Sequence, residues 1–249
     1  LALISAGVTD IGMTRKTNQD SIYVDEELRL YVVADGMGGH NGGDIASQLT
    51  VEHFPQFVRQ LKEEMKDPKD LLKNCIQQVN HKIYSKSQSD PLLKGMGTTM
   101  VANYFQANNL YLSNVGDSRC YLVQNGQLYQ LSRDHSFVQE LVNQGIYSRD
   151  VAKNDKQKNV ITRTVGFEPN VDPDIFTYKV CKNDLFLICS DGLHGKVSDS
   201  DILHLINQFI PDPANASKDD LKNLVQSLID QANMNGGQDN ISVIITVAQ

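Results

Sequence analysis

The sequence predicts a layered α+β fold, and three observations carry that prediction. Short runs of Val, Ile, Tyr and Leu recur as strand patterns gathered in blocks. Helical periodicity appears in pairs between those blocks, and strand and helix nowhere alternate in the regular way that builds a parallel sheet. Consecutive strands joined by two-residue turns pair antiparallel, because a parallel partner needs a crossover of a dozen residues or more.

In chain order, strand patterns run over 2–8, 21–25 and 28–34, followed by helical spacing over 43–61 and 68–87. A second block of strands covers 98–105, 110–115, 118–124 and 127–131. Asn125-Gly126 supplies the positive φ that a type I′ hairpin needs between the last two, and Asn108-Asn109 offers a similar turn earlier. A helix is expected over 135–144 with Asp134 as its N-cap, then strands over 174–180 and 184–189. Helices over 199–208 and 218–233 precede a last strand at 241–247, with Ser198 capping the first of these helices and Asp201 in its acidic first turn. Residues 145–166 are polar, lysine-rich and without periodicity, so they read as a long loop, either a solvated excursion or a flap beside a site. There Arg149, Lys153, Lys156 and Lys158 are candidates to steer an acidic peptide. With no internal repeat and no convincing linker, residues 1–249 read as one domain.

Composition narrows the function classes. Apolar residues make up 40% and charged residues 21%, and no apolar run is long enough to span a bilayer, so no membrane partner is expected. The net charge is −7 and the lysines are scattered, which excludes the basic stripe of a nucleic-acid binder. Cys75, Cys120, Cys181 and Cys189 form no C-x-x-C pair and mostly sit in apolar patterns, as reduced thiols of a cytoplasmic protein do. Leu1 already stands inside a strand pattern, without the charged n-region of a signal peptide.

The chemistry is carried by aspartates at strand ends. Asp35, Asp117 and Asp191 each follow a strand, and Asp239 opens the last one. An antiparallel sheet sets strand exits beside strand starts, so these four can meet at one rim. Gathered there, they would repel one another and raise one another's pKa unless a multivalent cation neutralised them. Hard carboxylate oxygens favour Mg²⁺ or Mn²⁺, whereas thiolate and imidazole would favour Zn²⁺. Each aspartate taken alone reads more simply as a turn residue; their shared placement is what points to a site.

The glycine-rich run from Asp35 to Asp44 leads from a strand to a helix and invites comparison with a dinucleotide-binding turn. It fits poorly, because Asn41 stands where the next glycine is required and a carboxylate at the strand end would repel a bare pyrophosphate. No thiol-phosphatase Cys motif, Gly-x-Ser-x-Gly, Walker loop or His-Glu-x-x-His is present.

Eight segments in order resemble the metal-dependent type 2C serine/threonine protein phosphatases, the PPM family, in their bacterial form. They are Gly12-x-x-Arg15-x-x-Asn18-Gln19-Asp20, Asp35-Gly-Met-Gly-Gly-His40, Gly97-Thr98-Thr99, Gly116-Asp117-Ser118-Arg119, Asp134-His135-Ser136, Ile161-Thr-Arg-Thr-Val-Gly166, Ser190-Asp191-Gly192 and Asp239-Asn240. The resemblance implies a four-layer α-β-β-α sandwich, two antiparallel sheets flanked by helices. It implies hydrolysis of phosphoserine and phosphothreonine by a metal-activated water without a phosphoenzyme, in a monomer acting on the phosphoproteins of a cognate kinase. The alternative is a catalytically silent, phosphatase-like module that binds phosphoproteins.

By the same resemblance, Asp35, Asp191 and Asp239 hold a first Mg²⁺ or Mn²⁺, and Asp35 with the Gly36 carbonyl a second. Asp117 and Asp191 bind a third. Asp20 matches an outer acid that fixes water, and Arg15 the arginine that grips phosphate, a role its planar fork suits. Two departures from the eukaryotic pattern stand out. Gln19 replaces a glutamate, and Met37 occupies the position of a proposed general-acid histidine, leaving His40 as the nearest candidate.

Overall fold

A computed structural model describes residues 1–38 and 42–249, and the side chain of Lys153 lies outside what is described. The chain forms β1 (Leu3–Asp10), β2 (Asp20–Asp25) and β3 (Leu30–Met37), then α1 (Gly43–Leu61) and α2 (Pro68–Ser89). β4 (Gly97–Thr98), β5 (Met100–Gln106), β6 (Asn109–Val115), β7 (Arg119–Gln124) and β8 (Gln127–Gln130) follow. After α3 (Phe137–Asn143) and α4 (Arg149–Asn154) come β9 (Asp174–Lys179), β10 (Leu185–Cys189), α5 (Asp191–His194), α6 (Asp199–Phe209), α7 (Lys218–Met234) and β11 (Ile241–Ala248).

Two antiparallel sheets result. One has the order β1-β11-β10-β7-β8, so β11 lies between β1 and β10; the other runs β2-β3-β5-β6-β9, with β4 added beside β3. Alternation along the strands explains the stacking. In β3, Tyr31 and Val33 point between the sheets while Leu30, Val32 and Ala34 point to the helices α1 and α2. In β11, Ile244 faces the inter-sheet layer while Val243, Ile245 and Val247 meet α6 and α7. Strands apolar on both faces must be covered on both, and the sheets with their two helix pairs form the four layers. Phe105 meets Tyr31 and Phe186 edge to face at centroid distances of 5.8 and 5.4 Å, which ties the sheets at mid-layer.

Several local readings need correction. The β5–β6 turn is Ala107-Asn108, with Ala107 at φ 53°, because Asn109 is already paired with Gln106. Asn125 and Gly126 do take positive φ, at 52° and 71°. Ser136, not Asp134, caps α3 by accepting from the Gln139 N–H at 3.3 Å; the Asp134 carboxylate is held instead by Arg119. Residues 145–166 are not all loop, since Ser148 caps α4, too short to show periodicity. Asp35 lies inside β3 rather than at its end, and Asp191 starts the single turn of α5. Cys75, Cys120 and Cys189 are buried, Cys181 is exposed, and all four are free thiols. Among the described residues no helix is long and apolar enough to cross a membrane.

Candidate metal centre

The sheets bring the acids of the sequence to one rim. β2 and β3 pair Asp20 directly with Asp35, and the exits of β6 and β10 deliver Asp117 and Asp191. Asp239 stands just ahead of β11, the neighbour of β10. Backbones approach here more closely than any side chain permits. A Cβ on Gly36 would lie 1.9 Å from the Gly43 carbonyl oxygen, and one on Gly192 would lie 1.9 Å from that of Asn240.

Asp20 and Asp117 are only 6% and 5% exposed, while Asp35 and Asp191 are partly open to the rim. Burial pushes the Asp35 carboxyl well above the ordinary range, reinforced by the charges of Asp20, Asp191, Asp117 and Asp239. Burial likewise raises Asp20 to about 7, Asp117 to about 8 and Asp191 to about 6. The neighbouring Asp191 charge adds to the shift at Asp117, and the Asp239 charge adds to that at Asp191. Asp191 also meets the Asp35 carboxyl, and two ionised carboxylates have only acceptors to offer each other.

Whether a cation fits is decided by the oxygens left over. Asp20 Oδ1, Asp117 Oδ1 and Asp191 Oδ1 are buried with no hydrogen-bond partner among the described residues. Such oxygens cost free energy unless a donor or cation meets them, and hard carboxylate oxygens suit Mg²⁺ or Mn²⁺. The donor set therefore fits the expected ions. As they stand, however, no three His, Cys, Asp or Glu side chains among the described residues are posed to hold a metal ion. Asp239 turns its Oδ2 to Arg15 Nη2 at 2.8 Å.

Around these acids lies a supporting frame whose roles the sequence did not reveal. Asp20 Oδ2 accepts from Ser190 Oγ at 2.8 Å and Ser242 Oγ at 2.6 Å, so it ties the end of β10 and the start of β11 to the opposite sheet. Asn240 accepts the Gln19 N–H and donates to the carbonyls of Ile11 and Thr17, stitching down the loop that carries Arg15. Arg119 Nε donates to both Asp134 oxygens at 3.0 Å, beside a 2.7 Å contact from Nη2. His135 clamps Gly116, its N–H donating to the Gly116 carbonyl and its Nδ1 accepting the Gly116 N–H at 3.1 Å. That leaves the Nε2 proton of His135 for Asp174, 3.1 Å away. His194 Nε2 donates to the Asp117 carbonyl at 2.9 Å, and its burial pushes the imidazole down to about 3. Serines, asparagines and histidines in such roles are indistinguishable in sequence from surface residues.

Arg15, Asp20, Asp35, Gly36, Asp117, Asp191 and Asp239 thus share one rim, whereas His40 lies outside the described residues. Met37 ends β3, and its thioether offers no proton.

Comparison with known proteins gives the chain its family and fold. The family model described as protein phosphatase 2C matches residues 14–236. A serine/threonine phosphatase, Stp, of Listeria monocytogenes is 36% identical over 242 residues, spanning 95% of this chain and 92% of that protein. PstP of Mycobacterium tuberculosis is 35% identical over 98% of this chain, which covers 45% of that longer protein. A crystal structure of that serine/threonine phosphatase superposes with a TM-score of 0.87 at 33% identity over all of both chains. The PstP catalytic domain with two manganese ions superposes at 0.83 with 33% identity, covering 98% of this chain and 97% of that one.

Proposed function

The chain belongs to the protein phosphatase 2C family and is a serine/threonine protein phosphatase, and from that premise we propose how its rim works. Asp35, Asp191 and Asp239 hold one divalent cation, Asp35 and the Gly36 carbonyl hold a second, and Asp117 with Asp191 hold a third. The observation that carries this reading is the set of buried oxygens of Asp20, Asp117 and Asp191 at a single rim that have no hydrogen-bond partner among the described residues. Bound Mg²⁺ or Mn²⁺ supplies Lewis-acid charge at phosphorus and an acidified water, so no protein nucleophile is required.

The chain's own groups do the rest. Arg15, exposed and paired among the described residues only with Asp239, swings its fork to two phosphate oxygens of the substrate. Asp20 orients water through its free Oδ1 while its Oδ2 stays locked by Ser190 and Ser242. His135 and His194 fix the backbone on either side of the Asp117 carboxyl and are not available as acids, since each already directs its Nε2 proton at a neighbour. The general-acid role falls to His40 or to water. The reaction is hydrolysis of phosphoserine and phosphothreonine in proteins, and intact carboxylates set it apart from a silent binding module.

Phosphate release from phosphothreonyl and phosphotyrosyl peptides tests the reading. Turnover of the phosphothreonyl peptide should vanish in chelator, return with Mn²⁺ or Mg²⁺, and survive replacement of Cys181, the exposed thiol. Full turnover by exhaustively demetallated protein would overturn it. For the third cation, Asp117→Ala should retain the two central ions by metal analysis while turnover falls about ten- to a hundredfold. An unchanged rate removes that assignment.

A further inference from the structure

Beside the metal rim lies a second recess of about 310 Å³, bounded by Met37 on one side and by the 161–172 segment on the other. Hydrogen bonding connects it to the site. Gly36 pairs with Thr98 and Met37 with Gly97, and Thr98 in turn exchanges bonds with Val165, at 3.0 Å from its own N–H and 2.8 Å to its carbonyl. The far wall therefore stands two strand positions, about 10 Å, from the backbone of Gly36.

That wall is built rather than draped. Asn80, fully buried on α2, donates to the carbonyls of Glu168 and Pro169 at 3.0 and 3.1 Å and accepts the Gly166 N–H at 2.6 Å. One turn earlier, Gln77 donates to the Val171 carbonyl. Gly166 takes φ 89° with Ile83 filling the space of a missing side chain, 2.1 Å from where a Cβ would be.

Its chemistry is specific. Met37, Ile161, Phe167 and Val171 give an apolar lining, and Phe167 is left 49% exposed there. The charges are unequal. Arg163 is engaged by Asp174 Oδ1 and the Asp172 carbonyl, both at 3.2 Å, and the Asp172 carboxylate faces Lys73 at 3.4 Å. Glu168 is exposed and has no ion-pair or hydrogen-bond partner for its carboxylate among the described residues. An apolar floor, an exposed aromatic ring and one uncompensated carboxylate match a long cationic side chain, its stem against Met37 and Val171 and its planar head between Phe167 and Glu168. The net charge of −7 favours approach of such a segment.

We propose that this recess is a substrate subsite that takes an arginine two or three residues from the phosphorylated one. An extended peptide advances about 3.3 Å per residue, so that spacing and the reach of the side chain span the distance. The inference rests on the phosphatase reading of the neighbouring rim.

The test uses the Mn²⁺-loaded protein and phosphothreonyl peptides carrying arginine, norleucine or glutamate at each of the second and third positions on either side, with a small aryl phosphate as reference. At one position arginine should raise kcat/KM roughly tenfold over glutamate. Glu168→Lys should cancel or invert that preference while the aryl phosphate rate stays within about twofold, and Phe167→Ala should reduce it. Both residues are exposed, so the variants should fold. Hydrolysis of all peptides with no arginine preference, or a preference unchanged in Glu168→Lys, overturns the subsite and leaves the phosphatase reading standing. Hydrolysis of neither peptides nor aryl phosphate overturns both.

Discussion

At one end of the strands, Asp184 precedes β10 and is 1% exposed; it accepts from Gln124 Nε2 at 2.9 Å, Tyr178 Oη at 3.0 Å and the Cys181 N–H at 2.7 Å. At the other end, Asp20 and Asp117 are nearly as buried, yet each keeps an oxygen that no described residue meets, and burial raises their pKa. Burial alone therefore says little about an acid's purpose. The difference lies in the donors. A carboxylate with a full set of donors is part of the scaffold, and one held among other carboxylates without them is a candidate cation ligand.

The contrast breaks most visibly under Asp→Asn or Asp→Ala exchange. Asp35→Asn should cut turnover by more than about a hundredfold, beyond the usual cost of disturbing an outer partner of a metal ligand. The same change should raise the melting temperature of demetallated protein, because an amide needs neither the proton that burial forces onto Asp35 nor a charge held among its like. Steady-state kinetics and thermal unfolding in chelator read the two halves. A variant both inactive and destabilised would place Asp35 in the scaffold. Asp184→Ala should do the reverse, leaving the aryl phosphate rate intact while stranding three donors, at a cost of about 3 kcal/mol or roughly 6–12 °C in Tm. Loss of activity in still-folded Asp184→Ala would erase the distinction between the ends.

Arg15→Ala sharpens the picture of the open rim. One charge-assisted phosphate contact is worth roughly 1.5 to 3 kcal/mol, so kcat/KM should drop about one to two decades on peptides and aryl phosphates alike. A defect confined to peptides would move Arg15 to substrate docking. The smallest effect is in pH. Asp20, Asp117 and Asp191 have folded-state values of about 7, 8 and 6, above their ordinary 3.8, so the folded form binds the extra protons. Their contribution to stability is then full below about pH 4 and is lost as the pH climbs through 6 to 8. Demetallated protein should melt progressively lower over that window, and saturating Mn²⁺ should flatten the trend. A flat profile without metal would mean the acids are already compensated.

Much of this was legible in the chain itself. Strong alternation and Val/Ile/Tyr/Leu enrichment located the long strands, α6 and α7 carried clear helical spacing, and Ser198 caps α6 as its sequence suggests. Asp35, Asp117, Asp191 and Asp239 stood out because turn residues recurred at strand ends. What stayed hidden depended on partners far away in sequence. Asp134 looked like a cap until Arg119 was placed against it, and α4 and α5 were too brief for a period to register. The hold of Asp20 on Ser190 and Ser242 joins residues 170 and 222 positions apart, which no local pattern encodes. His194 resembled any surface histidine, yet its ring is set against the Asp117 carbonyl.

The place of β11 between β1 and β10 bears on how such a protein is made. Leu3 pairs with Ala248, so the five-stranded sheet is closed by contacts of extreme sequence separation, the kind that forms late and slowly. On a chain emerging from its N-terminus, β1 and β10 expose unpaired edges until residues 241–248 arrive, a window in which a chaperone or an unwanted strand can bind. Asp239 reaches the rim in the same stroke. On the proposed assignment, the cation cage of Asp35, Asp191 and Asp239 is completed only when β11 slides into the middle of its sheet.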